Sequence, residues 1–277
     1  MKRRGDREWG PPVEILLATF NSEAFLAEQL DSYLSQEHRN WRLTVSDGGS
    51  TDATMRVLQE FQAAHPDRVA LLPPAGRLSC GENFYRLIRA SSADYVMLSD
   101  HDDIWLPDKI SASLAAVRQA EKTVGIGRPV LGYGDFSLVD RKGTMIADSF
   151  AENRHLEMKR SSLAAILFYP TTVGATFLMN RALCQIIGES VGRSPLYDLC
   201  IRLHAYWAQG EIVCIPGHHL LHRVHSGSLS ILSRGDRPPL LRKLGTLFDL
   251  KEERAKFTAA LRMCEEVLPV LERFGSE

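Results

Sequence analysis

The sequence predicts an α/β fold in which a mostly parallel sheet carries helices on both faces. Four short apolar runs that read as strands occupy residues 13–18, 41–45, 69–72 and 95–98. A segment with helical spacing of apolar residues follows each run, and this alternation favours a parallel sheet. Ligands of such sheets bind at the carboxyl ends of the strands. The polar clusters Thr19–Asn21, Asp47–Asp52 and Asp100–Asp103, which follow three of these strands, should therefore meet at one edge.

A helix is expected after each of the four strands, because apolar residues recur there every three or four positions. The expected helices run from Ser22 to Leu34, from Asp52 to Phe61, from Gly81 to Ala90 and from Pro107 to Val117. Ser22 has a side chain suited to capping the first of them. Pro107 fits the first turn of the fourth, where no backbone N–H is needed.

The second half of the chain is less regular, and it predicts five further strands and one helix. The strands are expected at residues 130–133, 136–139, 173–179, 212–215 and 220–225, and the helix at residues 195–208. From Pro238 to about Leu271 the spacing of apolar residues is helical. We therefore expect one domain over residues 1–235 and a helical extension over residues 236–277.

Composition and charge favour a globular, cytoplasmic protein. The chain has 277 residues, of which 44% are hydrophobic and 24% charged, and its net charge is −1. No global field thus attracts nucleic acid, and we expect no nucleic-acid partner. The longest nearly apolar stretch, residues 163–179, is broken by Pro170 and Gly174 and is too short to span a bilayer. The five cysteines form no closely spaced pair, which indicates reduced thiols.

Three carboxylates within four residues follow the fourth predicted strand. Asp100, Asp102 and Asp103 repel one another unless a cation or hydrogen-bond donors compensate their charge. Oxygen ligands suit Mg²⁺ or Mn²⁺, which bind through one or two carboxylates together with substrate phosphates. The alternative is a solvated acidic loop that caps the next helix.

The turn after the second predicted strand combines an acid with glycines. Asp47 precedes Gly48 and Gly49, and glycine lets a ligand approach the backbone closely. The Asp47 carboxylate could accept a hydrogen bond from the imide N–H of a pyrimidine base. The alternative is an aspartate that only forms the turn.

The ordered motifs of the first half resemble family 2 glycosyltransferases of the GT-A fold, in their bacterial rhamnosyltransferase-like branch. The motifs are Ala18–Asn21, Ser46–Asp52 and Ser99–Lys109, and weaker matches follow at Gly174–Phe177, Asn180–Arg181, Asp198 and Arg223–His225. The resemblance implies a Rossmann-like sheet with a nucleotide-binding half over about 11–125 and an acceptor half over about 126–235.

The resemblance also implies a role for each matching residue. The side chains expected around the nucleotide sugar are those of Thr19, Asn21, Asp47, Asn83, Arg86, Asp100 and Arg223. Asp102 would bind the metal, which bridges to the diphosphate, and His225 would complete this site. Asp198 would be the general base. Gly48, His101 and Tyr197 depart from the residues that are usual in the family.

The implied activity is the inverting transfer of a sugar from a nucleotide-diphosphate donor to a saccharide or lipid-linked acceptor, in the synthesis of cell-surface polysaccharide such as O-antigen. The branch favours L-rhamnose from dTDP-rhamnose, and UDP-hexoses fit the same motifs. A single base without a second carboxylate nucleophile implies one displacement with inversion. A sugar nucleotidyltransferase is the first alternative, although residues 19–22 lack its glycine-rich basic loop. A catalytically silent nucleotide-sugar-binding module is the second, because of Gly48 and Tyr197.

Three structural alternatives stay open at this point. Asp198 could simply charge the first turn of a helix. The four histidines His218, His219, His222 and His225 could form a zinc site. The extension at 236–277 could pack on the domain, or it could rest on the inner face of the cytoplasmic membrane near a lipid-linked acceptor.

Overall fold

A computed structural model of the protein describes residues 10–125, 127–158, 162–163, 166, 172–189 and 196–225. The predicted extension at residues 236–277 and the start of the helix predicted at 195–208 lie outside the described residues. None of the helices in the described ranges is long and apolar enough to cross a bilayer.

The first half of the chain forms the parallel part of the sheet. Its strands are β1 (Val13–Thr19), β2 (Trp41–Asp47), β3 (Val69–Leu71) and β4 (Tyr95–Ser99). They lie in the order β3-β2-β1-β4, and all three pairings are parallel. In the register, Thr19 lies opposite Asp47, and Leu17 lies opposite Ser99. The prediction that the polar clusters meet at one edge is therefore confirmed.

Three helices connect these strands. They are α1 (Leu26–Leu34), α2 (Thr54–Ala64) and α3 (Cys80–Ala90). Helix α3 begins with a capping box, in which the Ser79 side chain accepts from the Glu82 N–H while the Glu82 side chain accepts from the Ser79 N–H. The prediction that Ser22 caps α1 is wrong. The Ser22 hydroxyl accepts instead from the Phe20 N–H at 3.1 Å, and α1 begins only at Leu26.

The second half extends the sheet with mixed pairing. It contains β5 (Ile104–Trp105), α4 (Lys109–Val124), β6 (Val130–Val139), β7 (Met145–Ala147), α5 (Phe150–Asn153), a 3₁₀ turn (Gly174–Thr176), β8 (Leu178–Asn180), α6 (Arg181–Glu189), α7 (Tyr197–Trp207) and β9 (Glu211–Arg223). The sheet continues from β4 in the order β8-β6-β9-β5, and β7 pairs with β6. Only β6 and β9 run parallel in this half.

All five strands predicted in this half need correction. The two predicted at 130–133 and 136–139 are a single strand, β6. Those predicted at 212–215 and 220–225 are also one strand, β9, because a bulge lets the pairing pass over Pro216 and Gly217. The strand predicted at 173–179 starts with the 3₁₀ turn and pairs only from Leu178.

A separate apolar core covers each face of the sheet. Along β1, Ile15 and Leu17 belong to one core, whereas Leu16 belongs to the other. Such burial on both faces is typical of a central parallel strand. Helices α1, α2 and α4 contribute to the first core, and α3, α6 and α7 to the second. The predicted mixed α/β architecture with helices on both faces is thus confirmed.

Candidate active site

Thr19 and Asp47 meet at the ends of β1 and β2. The Thr19 hydroxyl donates to Oδ1 of Asp47 at 2.9 Å, and the Ser50 hydroxyl donates to the same oxygen at 2.6 Å. Oδ2 of Asp47 accepts from the N–H groups of Gly49 at 2.9 Å and Ser50 at 2.7 Å. These four donors match the capacity of one carboxylate. Asp47 thus stabilises the turn that follows β2, and its contact with a pyrimidine stays a prediction.

Asn21 joins the loops that follow β1 and β2. Its N–H donates to the Ser50 hydroxyl at 2.8 Å, and its side-chain oxygen accepts from the Thr51 N–H at 2.9 Å. Asn21 has a φ of +48°, in the left-handed region that asparagine tolerates better than most residues. Beside it, the guanidinium of exposed Arg77 lies 3.8 Å from the centroid of the Phe20 ring. The sequence motifs gave no reason to single out Arg77.

Asn83 and Arg86 project from α3 onto the end of β2. Ser46 donates its hydroxyl to Oδ1 of Asn83 at 2.6 Å, and Arg86 donates to the Ser46 oxygen at 2.9 Å. A Cβ at Gly48 would lie 3.1 Å from Nδ2 of Asn83 and also 3.1 Å from the carbonyl oxygen of Leu78. The glycine that replaces the usual acid therefore fits a tightly packed position. Direct contacts of Asn83 and Arg86 with a nucleotide stay predictions.

In the acidic segment that follows β4, residues Asp100–Asp103, the Asp102 carboxylate is paired with the imidazole of His225. Nε2 of His225 lies 2.9 Å from Oδ2 of Asp102, and both side chains are about nine-tenths buried. The His225 ring packs on Phe25, with 4.8 Å between the ring centroids. No group of three or more histidine, cysteine or acidic side chains arranged to hold a metal occurs within the described ranges. The pair could therefore supply two ligands and leave the other coordination positions to a substrate.

The four histidines near the end of β9 do not form a common site. His218 lies 3.1 Å from Asp135, and His219 lies 2.9 Å from Asp108. His222 lies 2.9 Å from the fully buried Asp103. Each histidine, including His225, thus faces a different carboxylate, so the zinc interpretation is wrong. The alternation of side chains along a strand separates neighbouring residues.

Burial and mutual repulsion set the charges of this segment. Burial, followed by the charges of Asp103 and Asp102, raises the pKa of Asp100 well above its usual value. Burial also acts to raise the pKa of Asp102, but the hydrogen bond from His225 and nearby histidine charges hold it below the usual value. For His222, burial lowers the pKa, but the charge and hydrogen bond of Asp103, together with the charges of Asp102 and Asp100, raise it to about 9. Asp102 therefore carries the anionic charge that a metal ligand needs.

Arg223 is buried against the acidic segment. Its side chain is 1% exposed, and Nε donates to the carbonyl oxygen of Asp102 at 2.9 Å. The two Nη atoms donate to the carbonyl oxygen of Arg141 at 2.9 Å and to Glu28 at 2.6 Å. The Arg223 N–H also donates to Oδ1 of Asp103 at 3.2 Å. This geometry favours a role in positioning Asp102, and a direct donor contact stays a prediction.

Asp198 lies in the first turn of α7 and is half-buried. Burial raises the pKa of Asp198, although the hydrogen bond from the Leu199 N–H, 2.8 Å long, and the charge of Arg202 oppose this. The charge of Asp198 contributes to the raised pKa of Asp100. After burial, the charges of Asp100, Asp198 and Asp102 raise the pKa of the Cys80 thiol. The hydroxyl of Tyr197, the residue before Asp198, lies 3.5 Å from Oδ1 of Asp100, so the start of α7 lies beside the acidic segment.

Lys109 connects the acidic segment to the turn that precedes β8. Its Nζ donates to the carbonyl oxygen of Ala175 at 2.8 Å and lies 4.7 Å from the centroid of the Trp105 ring. Burial lowers the pKa of Lys109 to about 7, and the charge of Asp103 opposes the shift. Lys109 is the last residue of the motif Ser99–Lys109, but nothing in the sequence indicated that it contacts Ala175.

A depression of about 530 Å³ lies at the other end of α7 and contains none of the predicted site residues. It is lined by Tyr206, Trp207, Gln209, Gly210, Glu211 and Ile212. These residues precede and begin β9, whereas the acidic segment contacts the end of β9 at Arg223. We assign no substrate to this depression.

Comparison with known proteins identifies the family. The model of "Glycosyl transferase family 2" matches residues 14–185, more than half of the chain. The chain is 38% identical over 102 residues to the dTDP-rhamnosyl transferase RfbG of Shigella flexneri, over 35% of each chain. It is 27% identical over 143 residues to the putative glycosyltransferase EpsE of Bacillus subtilis, over 52% of this chain and 50% of EpsE. The chain thus spans half or less of the length of these relatives.

Solved structures agree with the fold. S. aureus TarS 1–349 in complex with UDP-GlcNAc superposes with a TM-score of 0.58 at 16% identity, over 78% of this chain and 60% of TarS 1–349. The mannosyltransferase PcManGT of Pyrobaculum calidifontis, in complex with GDP-Man and Mn²⁺, superposes with a TM-score of 0.57 at 17% identity, over 96% of this chain and 79% of PcManGT. These similarities establish the GT-A fold. The chain belongs to glycosyl transferase family 2.

Proposed function

We propose that the protein is an inverting, metal-dependent glycosyltransferase that moves a sugar from a nucleotide-diphosphate donor to an acceptor hydroxyl. The observation that carries the proposal is the approach of the start of α7 to the acidic residues that follow β4. The hydroxyl of Tyr197, the residue before Asp198, lies 3.5 Å from Oδ1 of Asp100, and Asp102 follows two residues later. A donor that lay between Asp102 and Asp198 would meet a metal ligand on one side and a base on the other.

The Asp102–His225 pair fits a divalent cation of the Mg²⁺ or Mn²⁺ type. An anionic carboxylate and an imidazole nitrogen are both ligands of Mn²⁺, and a carboxylate with phosphate oxygens suits Mg²⁺. When bound, the cation would neutralise charge that builds on the departing diphosphate. The Arg223 side chain holds the backbone of Asp102, and Phe25 packs on the His225 ring, so both ligands are preorganised.

Asp198 would accept the proton of the attacking hydroxyl. Its raised pKa brings it closer to working pH than that of a solvated aspartate, which improves a general base. Attack by the hydroxyl on the face opposite the diphosphate inverts the anomeric carbon in one displacement. Thr19, Asn21 and Asp47, with Asn83 and Arg86 behind them, would form the nucleotide side of the site.

The donor that we propose is dTDP-L-rhamnose, with UDP-hexoses as the alternative. RfbG, a dTDP-rhamnosyl transferase by name, is 38% identical over 102 residues. The acceptor would be a saccharide or a lipid-linked saccharide of a cell-surface polysaccharide. We propose a cytoplasmic location in which residues 1–235 form the catalytic domain and residues 236–277 lie against it or on the inner face of the membrane.

A panel of nucleotide sugars with Mn²⁺ tests the proposal. Binding is read as a shift of the unfolding temperature, and turnover as release of nucleoside diphosphate with and without saccharide acceptors. We expect dTDP-rhamnose to stabilise the protein most and to be consumed faster when an acceptor is present. Binding without release in every case would instead identify a silent binding module. Formation of a nucleotide sugar from a sugar phosphate would identify a nucleotidyltransferase.

A further inference from the structure

Tyr197 is the residue before the proposed base, Asp198. Its ring is stacked on Phe84 of α3, with 4.3 Å between the centroids and 27° between the planes. Both residues are buried, Phe84 completely and Tyr197 to 8% exposure. Because Tyr197 is the first residue of α7, this stacking fixes the start of the helix against α3.

The hydroxyl of Tyr197 points toward the acidic segment. It lies 3.5 Å from Oδ1 of Asp100 and is oriented to donate to it. Burial, followed by the charge of Asp100, raises the pKa of Tyr197 well above its usual value, so the hydroxyl keeps its proton. A contact of 3.5 Å is long for an O–H···O hydrogen bond, and its effect on Asp100 is correspondingly moderate.

Gly174 leaves the space in which the Tyr197 hydroxyl lies. A Cβ at position 174 would come within 2.5 Å of Cε2 and of the hydroxyl oxygen of Tyr197. The turn that contains Gly174 is held from the other side, since Lys109 donates to the carbonyl oxygen of Ala175. The ring of Tyr197 is therefore confined by α3, by this turn and by Asp100.

We infer that Tyr197 is a positioning residue whose ring sets the start of α7, and with it Asp198, while its hydroxyl orients Asp100. The inference rests on the proposed function, because it assigns Asp100 to the donor side and Asp198 to the acceptor side. The two parts of the side chain should then affect different kinetic constants. Loss of the hydroxyl should weaken donor binding, and displacement of the ring should lower turnover.

Tyr197→Phe tests the hydroxyl and Gly174→Ala tests the ring, with Tyr206→Phe as the control at the exposed end of the same helix. Each variant is compared by donor affinity with Mn²⁺ from calorimetry, by kcat and KM, and by unfolding temperature. We expect Tyr197→Phe to weaken donor affinity about 3- to 10-fold with kcat within about 2-fold of wild type. We expect Gly174→Ala to lower kcat at least about 10-fold, since a shift of about 1 Å in a catalytic group can cost this much or more. Tyr206→Phe should match the wild type.

A structural role alone would lower the unfolding temperature of Tyr197→Phe and leave its donor affinity and kinetic constants unchanged, which overturns the inference. Should Gly174→Ala fail to fold, Tyr197→Phe still decides the role of the hydroxyl through donor affinity, and Phe84→Leu, which removes the stacking partner of the ring, decides the role of the ring through kcat. Failure of the proposed function has a different signature, because the wild type would then bind nucleotide sugars without transferring them. Donor affinity would still test the hydroxyl in that case. If Tyr197→Phe and the wild type bound the donor equally well, the orientation of Asp100 by Tyr197 would also be rejected.

Discussion

Nε2 of His225 lies 2.9 Å from Oδ2 of Asp102, although the two residues are 123 positions apart in the chain. Asp102 follows β4, and His225 follows β9. The final residue of β9, Arg223, donates its N–H to Asp103, and this hydrogen bond joins the end of β9 to the acidic segment. The pair therefore forms only when the two halves of the sheet are joined. Because the pair depends on the complete sheet, we expect the proposed metal site and the fold to be sensitive to the same contacts.

Asp102→Asn should abolish Mn²⁺-dependent donor binding. The amide keeps the shape of the carboxylate but loses the charge that the divalent ion requires. We expect donor affinity measured by calorimetry with Mn²⁺ to fall at least about 10-fold, and EDTA to inactivate the wild type until Mn²⁺ is restored.

Asp108→Asn is the matched control for Asp102→Asn. Asp108 is also paired with a histidine, His219, at 2.9 Å, but outside the proposed site. The donor affinity of the Asp108→Asn variant should equal that of the wild type. Unchanged nucleotide affinity of Asp102→Asn in the presence of Mn²⁺ would remove Asp102 from the metal site.

Asp198→Asn should lower turnover and spare donor binding. Asparagine can still accept from the Leu199 N–H, so the start of α7 should stay in place. Loss of a general base typically costs about 10² to 10⁴ in rate. We expect a fall of kcat in this range with donor affinity within about 2-fold of wild type. Normal turnover of the variant would show that Asp198 only charges the helix terminus.

The pH profile of the wild type provides a second test of Asp198. A general base must be deprotonated, so activity should decline as the pH falls through its pKa. Because burial raises the pKa of Asp198, this decline should begin above the range of a solvated aspartate. The dependence of kcat on pH measures it, and the Asp198→Asn variant should lack the same acidic limb. An acidic limb that persists in the variant would assign the titration to another group.

Arg223→Lys should destabilise both the fold and the metal site. A single ammonium group cannot replace three guanidinium nitrogens that reach Asp102, Arg141 and Glu28 in different directions. We expect the free energy of unfolding to fall by about 3 kcal/mol, as when a buried charged network is broken. Affinity for Mn²⁺ should fall as well.

Glu28→Gln separates positioning by Arg223 from direct donor binding. It removes the charged partner of Arg223 at a half-exposed position, so its effect on stability should be smaller than that of Arg223→Lys. A direct contact between Arg223 and the diphosphate predicts a different pattern. Arg223→Lys would then weaken donor binding while the unfolding midpoint in denaturant stayed that of the wild type.

The convergence of the site could be predicted from sequence because it depends on general rules. Strand and helix periodicity places Thr19, Asp47 and Asp100 directly after parallel strands, and parallel strands end at the same edge. The turn after β2 could also be predicted, because an aspartate before two glycines favours the turn that Asp47 forms.

Contacts between distant segments could not be predicted in this way. Lys109 and the Ala175 carbonyl are 66 residues apart, and nothing in one sequence pairs them. The inward orientation of Arg223 depends on how β9 continues past Pro216 and Gly217, which read as the end of a strand. A bulge overrides that local signal, because the long pairing of β9 with β6 outweighs one interruption.

Acid should destabilise the protein through His204, which is buried in α7 at 1% exposure. Nδ1 of His204 lies 2.7 Å from the carbonyl oxygen of Cys200, and Nε2 has no hydrogen-bond partner within the part of the chain that the structure describes. Burial lowers the pKa of His204 to about 4, although the hydrogen bond to Cys200 opposes the shift. The folded state thus keeps the ring neutral, and the unfolded state binds more protons below about pH 6.5. Stability from this group is therefore present above pH 6.5 and is lost as the pH falls toward 4.

The His204→Gln variant isolates this effect from the other titrating groups. Between pH 7 and pH 5, His204 should remove on the order of 2 kcal/mol from the free energy of unfolding. The variant lacks the titrating ring, so its loss of stability over this interval should be smaller than that of the wild type by this amount. Denaturant unfolding of both proteins at the two pH values measures the difference. Equal losses would mean that His204 accepts a proton in the folded state. Its burial in α7 should prevent this, because no carboxylate among the described residues is paired with it, and an uncompensated buried charge is more costly than the neutral ring.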